Sequence, residues 1–65
     1  MEYMTFVAER EEAGTRIDVF LAENMENLSR SGVQKLMESG HIHVNGGIVK
    51  PNYKLRETDM IDVEI

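Results

Sequence analysis

Residues 28–46 spell out a helix with both ends marked, then at once a strand and a turn, and that order leaves few folds open. Ser29 stands where an N-cap belongs, with Leu28 before it and Val33 at the fourth helical position, the spacing of a hydrophobic staple. Gly40 occupies the place where a left-handed residue stops a helix. Val33, Leu36 and Met37 form one apolar stripe, and Arg30, Ser31, Gln34, Lys35 and Glu38 fall on the opposite arc. Gly32 in the first turn costs roughly 1 kcal/mol relative to Ala, so this helix depends on packing. Ile42 and Val44 then alternate with His43 and Asn45, a half-buried strand that Gly46-Gly47 turns.

The rest of the chain supplies partners for that unit. Residues 3–8 are rich in β-formers and read as a short strand, joined by the acidic run 9–12 and Ala13-Gly14 to a first helix. Thr15-Arg16-Ile17-Asp18 matches a capping box, and Ile17, Phe20, Leu21 and Met25 make one apolar stripe behind it. Ile48-Val49 reads as a short return segment, stopped by Lys50-Pro51-Asn52, with Tyr53 and Leu55 as core contacts in a loop. Ile61, Val63 and Ile65 alternate with Asp62 and Glu64 in a closing strand. The expected class is α+β: two packed helices against a small, mostly antiparallel sheet.

A chain of 65 residues allows one domain, expected to span residues 1–65. Such a chain buries only about 60% of the surface that its unfolded form exposes, too little to enclose a substrate cleft with its supporting shell. A binding module or a fragment of something longer is expected, not a whole enzyme, and no catalytic residue is assigned. The net charge of −5 argues at first sight against nucleic acid. Its distribution does not: residues 1–15 carry −3 and residues 57–65 carry −4, while residues 16–56 carry +2. Binding responds to the local field, so acidic ends are compatible with a basic centre. With no cysteine there is no disulfide framework and no thiolate metal site. The longest apolar run, Val19-Phe20-Leu21-Ala22, is far short of the ~20 residues that span a bilayer, and the acidic N-terminus lacks a signal-peptide layout. A cytoplasmic chain with no membrane partner is the expectation.

Three groups of residues carry candidate function. Ser29, Arg30, Ser31, Gln34 and Lys35 combine a helix N-terminus, whose free N–H groups and partial positive charge suit a phosphate, with basic and amide side chains beside it. Asn45 ends the strand that follows and comes close to the helix surface only if that strand packs beside the helix, and Lys50, Lys54 and Arg56 follow in the loop. Arg16 opens the first helix, where a cation opposes the helix dipole, so its charge is expected to serve something outside the helix. His41 and His43 share a strand face, but no third ligand is evident nearby, and neither a metal nor a cofactor is expected.

Taken together, Gly14-Thr15-Arg16-Ile17-Asp18, Leu28-Ser29-Arg30-Ser31, Val33-Gln34-Lys35-Leu36, Gly40, Val44-Asn45-Gly46 and Asp59-Met60-Ile61 resemble the S4 RNA-binding domain, over residues 13–65. Within that superfamily, Val49-Lys50-Pro51-Asn52-Tyr53-Lys54-Leu55 looks most like the N-terminal domain of the large-ribosomal-subunit (D-type) RNA pseudouridine synthases. The resemblance implies the αL-motif fold and an RNA-facing surface that includes Arg16, Ser29, Arg30, Gln34, Lys35, Asn45 and Lys50. It also implies structured, ribosomal RNA as partner and a separate catalytic domain in cis, an isomerase, whose essential aspartate motif is not present here. Alternatives are a free-standing S4 protein of ribosome maintenance, or a protein-interaction module without useful RNA affinity. Three positions depart from the family pattern: Gly32, where a larger residue is frequent; Gly47, where a basic residue is common; and Thr58, where Gly is usual before Asp59.

Overall fold

The computed structural model describes residues 2–65. Strand β1 (Tyr3–Val7) leads through a single 3₁₀ turn (Arg10–Glu12) to α1 (Ile17–Asn24) and α2 (Arg30–Glu38), followed by β2 (Ile42–Val44) and β3 (Met60–Glu64). The last strand in sequence is central in space: β3 lies between β1 and β2 and runs antiparallel to both. Its alternation explains the choice, because Ile61 and Val63 are fully buried and need neighbours on both sides. Register places Met4 and Ile42 beside Val63, and Phe6 and Val44 beside Ile61. These six residues form the sheet face toward the helices. Ile17, Phe20, Leu21 and Met25 of the α1 region and Val33 and Met37 of α2 close over it. Phe6 meets Phe20 edge to face, with ring centroids 5.9 Å apart.

Both ends of α2 form as the sequence marks them. Ser29 Oγ accepts the Gly32 amide at 3.2 Å. At the other end Gly40 takes φ +78°. The Gly40 amide donates to the Met37 carbonyl and the His41 amide to the Leu36 carbonyl, the paired bonds of a Schellman stop. Asn45 and Gly46 both hold positive φ between the reciprocal Val44–Gly47 backbone bonds, the two-residue hairpin turn that matches strand twist.

Four expectations need correction. No Thr15 capping box forms: Arg16 is the N-cap residue of α1, with no side-chain cap bond. The α1 amides are satisfied instead from a distance, Ile17 N–H by the Tyr53 carbonyl at 2.8 Å and Asp18 N–H by the Pro51 carbonyl at 3.4 Å. That diversion explains the second correction. Ile48-Val49 does not return as a strand beside β2, because the chain leaves after the Val44–Gly47 bridge to lay residues 51–55 against the start of α1. Third, Ile65 continues the ladder through its bonds with Glu2 yet stays 49% exposed, because the helix layer leaves that corner of the sheet open. Fourth, Leu36 is only half-buried, leaving Val33 and Met37 as the buried pair of α2.

Candidate nucleic-acid interface

The start of α1 and the first turn of α2 meet over one side chain, Asp18, whose carboxylate is fully buried. Its Oδ1 accepts the Arg16 Nε–H at 3.1 Å and the Val19 amide at 2.8 Å. Its Oδ2 accepts from Arg16 Nη2 at 2.9 Å, Gln34 Nε2 at 3.0 Å and, more loosely, Arg30 Nη2 at 3.5 Å. Burial pushes the Asp18 carboxyl pKa up. The hydrogen bonds from Arg16 and Gln34, the Arg16 charge and the Val19 amide outweigh it and leave the group below the ordinary carboxylate range. The carboxylate is therefore ionised across the neutral range and acts only as an acceptor.

This arrangement accounts for Arg16. A cation at a helix N-terminus opposes the dipole, but here the guanidinium is folded onto the acid two residues on, a fork-on-carboxylate pair. The Arg16 and Arg30 side chains keep 43% and 54% of their surface exposed, so each is anchored at one edge and open at the other.

Other expected site residues collect around the same point. An isolated antiparallel bridge sets Lys54 beside Arg16, and the Asp18 amide bond to the Pro51 carbonyl brings Lys50 to the same helix end. Ser31 and Lys35 lie exposed on α2, and among the described residues neither the Arg30 nor the Ser31 amide has a hydrogen-bond acceptor. Lys35 forms no ion pair with Glu38 among the described residues.

Ser29 and Asn45 are placed differently. The Ser29 hydroxyl is engaged in its cap. Asn45, though exposed, commits both ends of its amide to partners within the chain: Nδ2 donates to Asp59 Oδ1 at 2.9 Å, and Oδ1 accepts the Met60 amide at 3.0 Å. Asp59, itself buried, also accepts the Tyr53 hydroxyl at 2.6 Å and the Arg56 amide at 2.9 Å. Burial raises the Asp59 carboxyl, yet these donors and the Arg56 charge hold it below its usual range, while the same contact and burial raise the Tyr53 phenol. Asn45 thus ties the β2 turn to the loop that carries Lys50 and Lys54. Among the described residues, the acidic side chains that converge are Glu9, Glu11 and Glu12, near the surface.

Asp18 is the residue that the sequence reading misplaced, as half of a capping box. Its phase held the signal: it precedes Leu21 by three and Met25 by seven, so an acid lies on the buried stripe of α1. Arg30 and Gln34, one turn apart on α2, are the donors that such an acid requires.

A rigid support with two half-anchored arginines, lysines from an adjoining loop and an open helix end can engage phosphate and sugar groups from several directions. No helix among the described residues is long and apolar enough to cross a membrane.

Comparison with known proteins shows the family to which the chain belongs. The S4 domain family matches residues 15–61. An uncharacterized RNA pseudouridine synthase of Bacillus subtilis is 37% identical over all 65 residues, which amount to 22% of that protein. The ribosomal large subunit pseudouridine synthase C of Haemophilus ducreyi is 33% identical over 92% of this chain and 19% of its own length. An uncharacterized RNA pseudouridine synthase of Chlorobaculum parvum is 38% identical over 89% of this chain and 18% of its own. The chain spans about a fifth of the length of the curated relatives it matches. It belongs to the S4 family of RNA-binding domains.

Proposed function

We propose that this chain docks on structured ribosomal RNA in the cytoplasm and positions a separate pseudouridine synthase catalytic domain, carried in the same longer protein, on its target. The observation that supports the reading most is the pair of half-anchored guanidiniums, Arg16 and Arg30, held beside the open N-terminus of α2 and flanked by Lys50 and Lys54. Arg16, Ser31, Arg30, Gln34, Lys35, Lys50 and Lys54 make the contacts in this reading, while Ser29 and Asn45 serve the surface by holding its helix end and its loop. Recognition of this kind reads shape, phosphate and 2′-hydroxyl positions in a folded RNA. The relatives, of which this chain matches a small part, are named as RNA pseudouridine synthases, which supports a catalytic domain as the cargo.

The test is titration with hairpins from large-subunit ribosomal RNA at several salt concentrations. Engagement of about three phosphates gives a slope of log K against log salt of roughly −2 to −3. Salt-independent binding, or none at low salt, overturns the proposal and favours a protein-interaction module. The chain alone is expected to convert no uridine. Joined to a pseudouridine synthase catalytic domain, it raises activity on intact ribosomal RNA far more than on short oligonucleotides, because the added contacts act through positioning.

A further inference from the structure

We infer that Asp18 is a positioning residue for RNA recognition: its buried carboxylate aims the free edge of the Arg16 guanidinium, the Arg30 head and the Gln34 carbonyl outward in one fixed arrangement. The inference rests on the RNA-binding reading above and goes further, since it assigns an affinity-promoting role to a negative charge beneath a cationic surface.

A guanidinium has five N–H groups in a rigid plane. Asp18 takes the Nε–H and one Nη2–H of Arg16, which leaves the Nη1 pair and the second Nη2–H for a partner outside. That remaining edge matches two oxygens of one phosphate, a geometry a freely rotating side chain presents only part of the time. Gln34 is constrained by the same logic. Only its NH₂ can face a carboxylate, so the bond from Nε2 to Asp18 turns Oε1 away, and an acceptor is what a ribose 2′-hydroxyl can donate to. Arg30, at 3.5 Å, is steered more than clamped. Contacts reach Asp18 from both α1 and α2, so the three outward groups keep their spacing as one unit.

Two views of Asp18 predict opposite signs. If only local charge mattered, removing an acid beneath two arginines would strengthen binding to a polyanion. If positioning matters, Asp18→Asn weakens it, because an amide places a donor against the Arg16 and Val19 N–H groups or against Arg16, Gln34 and Arg30. The experiment titrates one folded hairpin of large-subunit ribosomal RNA with the wild-type chain, Asp18→Asn, Arg16→Lys and Glu38→Gln, with circular dichroism on each. Glu38 is an exposed acid on the outer arc of α2 and serves as the charge control. Asp18→Asn is expected to bind about tenfold more weakly, and Arg16→Lys, which keeps its charge and loses its fork, several-fold more weakly. Glu38→Gln binds as tightly as wild type or slightly tighter.

A second readout needs no RNA. The Arg16 Nε–H, which donates to Asp18 Oδ1, is expected to give a sharp, slowly exchanging resonance in the wild type and to be lost to exchange in Asp18→Asn. Should Asp18→Asn fail to fold, Arg16→Lys and the wild-type Arg16 resonance decide the matter. A folded Asp18→Asn that binds as well as wild type, or an Arg16→Lys that does, overturns the positioning role and leaves RNA binding standing. A wild-type chain that binds no RNA overturns both.

Discussion

Thr58 holds φ +76°, in a turn closed by the Asp59 amide on the Arg56 carbonyl. With Thr58 at the third turn position this is the pattern of a type II turn, where a left-handed residue is required and Gly is preferred. A β-branched side chain is a poor occupant of that region. The left-handed conformation costs an L-residue about 1–2 kcal/mol, and replacing Thr with Gly removes that cost. Against it stands the larger conformational freedom that Gly gives the unfolded chain, about 0.4–1 kcal/mol. The Thr58 side chain is exposed and has no hydrogen bond among the described residues to lose, while its amide bond to the Ala8 carbonyl survives the change. The net expectation for Thr58→Gly is stabilisation by about 0.5–1 kcal/mol. In a domain of this size 1 kcal/mol moves Tm by about 4–8 °C, so a rise of roughly 2–8 °C is expected. Thermal melts followed by circular dichroism and by Tyr fluorescence test it, coincidence of the two transitions supporting two-state unfolding. A Tm that stays level or falls refutes the claim that this turn is strained.

Asn45→Ala leaves Asp59 short of a donor and the Met60 amide short of an acceptor, and is expected to lower stability by about 1–3 kcal/mol in chemical denaturation. Lys35→Gln removes one exposed cation that has no ion pair among the described residues, so the salt slope of RNA binding becomes shallower by about one with no change in Tm. Acid weakens the fold through Asp18 and Asp59, both held below their unfolded values. Their contribution is fully present above the ordinary carboxylate range of about 4 and is lost as pH falls through the depressed folded values, so Tm stays level near neutrality and drops in that acid window. Replacing Asp18 by Asn flattens the drop, and an equal drop in that variant counts against the assignment.

What the sequence makes legible here is what local chemistry decides. Ser29, Val33, Gly40 and the Asn45-Gly46 pair act within a few residues of themselves, and the helix, its stop and the turn form where those residues stand. The alternation at Ile42, Val44, Ile61 and Val63 identifies the strands' buried face for the same reason. The start of α1 is a different case. Thr15 and Asp18 have the spacing of a capping box, yet the donors there are met by carbonyls of Pro51 and Tyr53, from the far end of the chain. A local pattern lost to a tertiary one. Asn45 shows the same division within one residue: its backbone makes the expected turn, while its side chain answers to Asp59.

Those two acids share a physical role. The loop after β2 is held by polar groups as well as by its buried Leu55 and the partly buried Val49 and Tyr53. Asp59 gathers Tyr53, Arg56 and Asn45, and the Tyr53 carbonyl in turn holds the Ile17 amide at the start of α1. One residue further, Asp18 gathers Arg16, Arg30 and Gln34 from two helices. The lysines of the loop and the arginines of the helices are thereby joined through two buried carboxylates, each with a donor on both of its oxygens. Such a network is rigid when complete and costly when one member is removed. It also adds to the basic character of residues 16–56, a segment that carries +2 within a chain of net charge −5. Two of its acids are turned inward, where their bonds hold the basic side chains in place without offering exposed negative charge to a polyanion.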